Sequence, residues 1–274
     1  MKNRFFLAFA FLAAFAAPGA GAQTFPEGDV FTPLVADPLE TRNFLSVLGL
    51  DSENLQTTVG SVGLGTNFGL YRWPGQQPGD GWQVGLFAAI NSQFDLEGTS
   101  YPLLNTDFRV GIPVSFRNGP WSGRARLYHQ SSHLGDEFIL QGNAPQRVNL
   151  SVEVVDFTLA WERGGWRPYV GAGYVFHSDP SGLKSGGAQL GIDYIGTARA
   201  FLGGRLVGGI DYKSFEETDW RAGVSAKIGL QYGRPYPDRR GLTVLLEAFD
   251  GPAPFGQFYR DTVNYYGVAL QFDL

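Results

Sequence analysis

The sequence predicts an all-β fold: a membrane-spanning, up-and-down antiparallel barrel of about 12 strands, with short periplasmic turns and longer extracellular loops. Three observations carry this. Apolar residues alternate with polar ones along most of the chain after residue 42, the period of a strand with two unlike faces. The polar face holds full charges, which a dry core would reject but an ion-paired lumen accommodates, while the apolar face suits lipid. The chain also opens with an export leader.

That leader spans Met1 to Ala22. Lys2 and Arg4 form its positive start, Phe5 to Ala17 its apolar stretch, and Ala20-Gly21-Ala22 a small-residue cleavage site, so the mature chain starts at Gln23. The apolar stretch is too short to span a bilayer and runs into Pro18 and Gly19. There is no cysteine, hence no lipoprotein anchor and no disulfide. Beyond the leader no apolar run approaches the roughly 18 residues of a spanning helix. Mean hydropathy is −0.11, as in barrels, where only every second residue meets lipid. Removing the leader takes the formal charge from −5 to −7, and no basic face for nucleic acid is present. The 38 glycines and 15% aromatic content fit a chain with many turns and interfacial aromatic residues.

Residues 23–42 contain Pro26, Pro33 and Pro38, which exclude a helix or a central strand. They read as a periplasmic arm that either tucks into the barrel or leads into its first strand. Residues 43–274 form the barrel. Asn43 to Leu48 begins it and is its weakest strand. Val62, Leu64, Phe68 and Leu70 mark the next, followed by Trp82, Val84, Leu86, Ala88 and Ile90. Phe108, Val110, Ile112 and Val114 alternate with Asp107 and Arg109. Trp121, Ala125 and Leu127 oppose Arg124 and Arg126; Val155, Phe157 and Leu159 oppose Asp156 and Glu162. Val170, Tyr174 and Phe176 mark the next strand, on which parity points His177 inward. Leu190, Ile192 and Tyr194 follow, then Leu206, Ile210 and Tyr212 against Asp211. Val224, Ile228 and Leu230 oppose Lys227, and Val244, Leu246 and Ala248 oppose Glu247. Tyr266 to Leu274 closes the barrel and reads as the signal for the barrel assembly machinery.

The turns at 118–120 and 163–165 are tight, whereas the connections at 133–148 and 250–262 are long, so the former face the periplasm and the latter the outside. Trp73, Trp82, Trp121, Trp166, Trp220 and Tyr232 lie near strand ends as an interfacial girdle. The inward charges (Asp107, Arg109, Arg124, Arg126, Asp156, Glu162, Asp211, Lys227 and Glu247) are of both signs, which cross-links a narrow lumen and argues against a wide porin. The first functional expectation is therefore an integral outer-membrane barrel, in contact with outer-membrane lipids, with a structural or small-solute transport role.

A second expectation comes from polar residues on the lipid face. Parity with Leu127 turns His129, Ser131 and His133 outward near the outer rim. A hairpin centred near residue 140 would pair Ser131 with Asn149, His129 with Ser151 and Arg124 with Asp156. Ser131 would then be a nucleophile, His129 its base and Asn149 the group orienting the ring. The His129-x-Ser131 stretch resembles the core of outer-membrane phospholipase A and lipid A deacylase, where the motif continues with Asn; here Ser132-His133 follow. That resemblance implies a serine acyl hydrolase acting on membrane lipid. No cofactor is expected; a loop metal ion near Asp136 and Glu137 stays open, although His129, His133, Asp136 and Glu137 match no known metal-ligand spacing. More broadly, Phe31-Thr32-Pro33-Leu34-Val35-Ala36-Asp37-Pro38, with Tyr128 to Glu137, resembles the bacterial domain of unknown function 1207. This implies an exported envelope protein and no particular reaction.

Overall fold

The computed structural model describes residues 21–53, 55–142, 148–233 and 241–273. The leader expected over residues 1–22 lies, apart from its last two residues, outside these. Among the described residues no helix is long and apolar enough to cross a membrane.

The membrane is crossed by strands instead. A short β1 (Gln23–Thr24) precedes twelve barrel strands: β2 (Asn43–Ser52), β3 (Gln56–Pro74), β4 (Gly81–Asp95), β5 (Leu103–Asn118), β6 (Trp121–Leu134), β7 (Leu150–Trp161), β8 (Trp166–Asp179), β9 (Gly186–Arg199), β10 (Arg205–Phe215), β11 (Ala222–Gly233), β12 (Gly241–Pro252) and β13 (Thr262–Asp273). One helix, α1 (Asp136–Leu140), sits between β6 and β7. Each barrel strand pairs antiparallel with its sequence neighbours, and β13 returns to β2 with Tyr265 opposite Leu50 and Leu270 opposite Leu45. Closure gives each barrel strand a partner on both sides, as a sheet in hydrocarbon requires. The weak first strand is thus a full partner. β3 runs past the end of β2, and β1 pairs with part of the surplus, Gln23 with Arg72 and Thr24 with Tyr71.

The outward face is apolar, with Leu64, Phe68, Val110, Phe157, Val170, Ile228 and Leu246 all exposed. Exposed aromatic residues lie at both rims, Trp82, Trp121 and Trp166 at the periplasmic one and Phe215 and Trp220 at the other. Trp73 pairs with Trp82, whose ring lies 5.0 Å from that of Phe116, and Trp166 lies 4.8 Å from Tyr194. The tight turn between β5 and β6 is two residues, Gly119 and Pro120, since Asn118 pairs with Trp121. Gly119 takes φ +55°, the positive value that primed hairpin turns require.

The arm does not hang in the periplasm; it fills the lumen. Phe31, Leu34, Ala36 and Glu40 are buried. Beyond β1 its prolines prevent a backbone ladder, so its carbonyls are satisfied by inward side chains of the wall. Arg72 and Gln83 donate to Gly28 O at 3.1 and 2.9 Å. Arg117 donates to Val30 O at 2.8 Å, and Arg167 to Thr32 O and Pro33 O at 2.7 and 2.8 Å. Arg109 donates to Leu39 O. The arm's own acids take two further cations. Glu40 accepts two bonds of 2.9 Å from Arg124, and Lys213 donates to Asp37 at 2.6 Å. Phe31 lies beneath Arg124, with 4.6 Å from guanidinium carbon to ring centroid.

Above the arm, the extracellular end is closed by apolar packing. Leu48, Leu50, Leu104, Leu134, Phe138 of α1, Phe249 and Tyr265 form one buried cluster with Phe255 and Phe258 against it. The β12–β13 loop folds inward to supply those last two. It is pinned there because Asp107 accepts the Gly256 N–H at 3.0 Å, while Gln257 donates to Ser132 O and Val148 O at 2.8 and 2.9 Å. A side chain at Gly256 would start 2.5 Å from Ser132 Cβ, so this close approach needs glycine.

One pairing differs from expectation. Arg126, not Arg124, stands opposite Asp156, donating to it at 2.6 and 3.0 Å, and Arg124 faces Thr158. The β6–β7 hairpin is centred on residue 141. A connection long enough to contain α1 does not specify register, and the two-residue shift keeps every side chain on its expected face.

Glu40 to Ala should destabilise the barrel by about 3–5 kcal/mol, because it strands the Arg124 guanidinium in the lumen. Urea unfolding monitored by heat-modifiable mobility is the measurement, with exposed Glu27 to Ala as the near-neutral reference. Burial alone would raise the Glu40 carboxyl, but Arg124 and Arg126 hold it well below the usual carboxylate range. A depressed carboxylate gives stability that is present above its unfolded value and lost only as pH falls through the folded one. The wild-type advantage over Glu40 to Gln should therefore persist at pH ~4 and disappear only in stronger acid.

Candidate functional site

Alternation along β6 separates two sets of side chains. Arg124, Arg126, Tyr128 and Ser132 point inward, while Leu127, His129, Ser131 and His133 point to the outer wall. Cross-strand partners share a face, so register tells what surrounds them. One row runs Val110, His129, Glu153 and His177 across β5 to β8; the next runs Phe108, Ser131, Ser151 and Asp179.

Within the first row His129 Nδ1 lies 3.3 Å from Glu153 Oε1, with side chains 42% and 35% exposed. A histidine beside a carboxylate has its tautomer and ring plane set by that contact, as in hydrolytic triads. Nδ1 being occupied, Nε2 is the ring nitrogen left for a hydroxyl. Ser131 is the next outward residue toward the extracellular end of the same strand and sits opposite Ser151.

The third expected member is elsewhere. Asn149 precedes β7, and its Nδ2 donates to Asp179 Oδ2 at 2.8 Å, so it does not orient His129. The same two-residue register shift that moved Asp156 to Arg126 moves Asn149 away and brings Glu153 in. The signal in the sequence was parity: Glu153 is an acid on a face otherwise carrying Val155 and Phe157.

His177 is also corrected. Parity from Phe176 pointed it into the lumen, but a bulge shifts β8 between Val175, opposite Val154, and His177, opposite Glu153. The extra residue turns His177 to the same side as Glu153. His133 is exposed near the top of β6, its ring 6.0 Å from that of Phe108. Asp136 and Glu137 are exposed in the first turn of α1. Among the described residues no group of three His, Cys, Asp or Glu side chains is arranged to hold a metal ion.

The charges expected inside are on the inner face and tied up there. Asp107 accepts from Ser132, Arg109 donates to Asn91 at 2.9 Å, Lys227 and Glu247 pair at 2.9 Å, Arg117 and Glu162 at 2.8 Å, and Asp211 accepts from Tyr169 and Gln189 at 2.8 and 2.6 Å. A cavity of about 230 Å³ remains behind β6 and β7, lined by Arg109, Arg126, Tyr128, Gln130, Gln189 and Lys213 among others.

A comparison with curated protein sequences gave no match. Among solved structures, the barrel is similar to the outer membrane phospholipase (OMPLA) dimer of Salmonella typhi with bound calcium. The TM-score is 0.60 at 17% identity, covering 86% of this chain and 93% of that one. It is similar as well to outer membrane phospholipase A of Escherichia coli, with a TM-score of 0.59 at 16% identity, covering 88% and 95%. Likeness at such identities establishes an outer-membrane-type barrel fold and leaves the chemistry to the residues. A family model matches residues 13–274, nearly the whole sequence, and on that match the chain belongs to the family described as Protein of unknown function (DUF1207).

Proposed function

We propose that this protein is a lipid-facing acyl hydrolase of the outer membrane, with Ser131 as nucleophile, His129 as base and Glu153 as the group that orients it. The contact of His129 with Glu153 on the outer wall, two residues from an outward serine, carries the reading. Polar residues on a lipid face cost stability, most at the midplane, so a Ser, a His and a Glu clustered there call for a compensating role. The phospholipases with a similar barrel act on lipid, which fits an active site reached from the bilayer side.

The chemistry follows from the three groups. Ser131 Oγ attacks the carbonyl carbon of a lipid ester while His129 Nε2 takes its proton. Collapse of the tetrahedral intermediate breaks the ester bond, and the imidazolium returns the proton to the departing alkoxide. Water, deprotonated by His129, then releases the fatty acid from Ser131. Glu153 keeps Nδ1 protonated and stabilises the transient imidazolium.

The transport reading is less well supported. The lumen holds the arm at its middle and an apolar cluster at its extracellular end. Purified protein in planar bilayers should show no conductance steps above baseline; steps of a defined size would restore the channel reading.

Fatty-acid release from phospholipid or lipopolysaccharide vesicles is the direct assay. Ser131 to Ala should lower the rate by about 10³-fold or more, and Glu153 to Gln by about 10²-fold. Asn149 to Ala should leave it within about twofold, since that side chain acts on Asp179. Release unchanged in Ser131 to Ala would remove the proposal.

A further inference from the structure

Glu153 uses one oxygen on His129; the other, Oε2, is buried and has no hydrogen-bond partner. An unpaired carboxylate oxygen at a lipid-facing wall is costly enough to require a donor within reach. Across the β7–β8 ladder stands His177, and the bulge decides that it does. In unbroken register Val175 opposite Val154 would place Phe176 beside Glu153 and turn His177 inward. The extra residue replaces that phenyl ring with an imidazole.

From this we infer that His177 is a positioning residue of the site, donating a ring N–H to Glu153 Oε2 and holding the carboxylate that orients His129. The cross-strand pairing of Glu153 with His177 carries the proposed bond, which the structure itself does not make, and its kinetic consequence rests on the hydrolytic reading. Competing partners are already engaged. Asp179, two residues along the same strand, takes the Asn149 amide at 2.8 Å. Lys184, in the following connection, pairs with Asp219 at 2.5 Å. Two imidazoles flanking one carboxylate keep a potential charge in the wall compensated on both sides, and they fix its rotamer from both sides.

The chain has three histidines, so ring nitrogen NMR of the detergent-solubilised protein is readable residue by residue. Glu153 to Gln should move the ring signals of both His129 and His177 and leave His133 in place. Labelling of Ser131 by a fluorophosphonate probe gives the second readout. His177 to Ala should slow it by about tenfold or more, and His177 to Gln, whose amide also donates, should recover most of that loss. If Ser131 to Ala abolishes labelling while the His177 ring signal ignores Glu153 and His177 to Ala labels at the wild-type rate, the positioning role is overturned and the hydrolase stands. If Ser131 to Ala labels as fast as wild type, the hydrolase reading falls and the role of His177 falls with it.

Discussion

Hydrocarbon around the wall forces every backbone N–H and C=O to pair within the sheet, and only closure achieves that. Closure in turn sends alternate residues of twelve strands into a confined interior. Small eight-stranded barrels can fill that space with their own side chains; twelve strands enclose more than side chains alone can fill. The proline-rich arm meets both needs left over. Its apolar residues, Phe31 and Leu34, pack with Ala160 and Tyr169 of the wall. Its acids and bare carbonyls give the inward arginines partners in a place where an unpaired guanidinium would be prohibitive. Arg124 shows the dependence most plainly: it is 2% exposed, stacked on Phe31 and held twice by Glu40, all of it arm.

Most of the architecture was legible because period-two alternation survives noise in any one strand. The closing strand pairs with β2, and the tight turns at 118–120 and 163–165 fall at the opposite end from the long connections at 133–148 and 250–262. What alternation cannot carry is register across a long loop. The β6–β7 hairpin was displaced by two residues, an even number, so every face was right while the neighbours were wrong. Alternation therefore points both arginines inward and leaves open which of them faces Asp156. A bulge is the other blind spot, since one extra residue reverses parity from that point on, and His177 lies beyond it. The arm's destination was invisible for a third reason. Beyond β1 the segment has no ladder hydrogen bonds and so carries no period, and its partners are scattered over the wall, as the arm-to-wall bonds of Arg72, Arg117, Arg167 and Lys213 illustrate.

The candidate site owes its geometry to the same alternation. On β6 the even residues anchor and the odd residues are presented. Arg124 is locked to Glu40, Arg126 to Asp156, and Ser132 to Asn105 at 2.9 Å and to Asp107. Between those anchors His129 and Ser131 have a backbone held through Arg124, Arg126 and Ser132, with the cavity behind Tyr128 and Gln130. Catalytic groups work best on elements whose own positions are over-determined. An open pore would leave β6 supported only by its two neighbours. Here it is braced from the interior as well, so filling the lumen and organising the outer wall are two faces of one arrangement. A lipid needs no lumen to reach such a wall, because it arrives from the side, already dissolved in the phase that the wall faces.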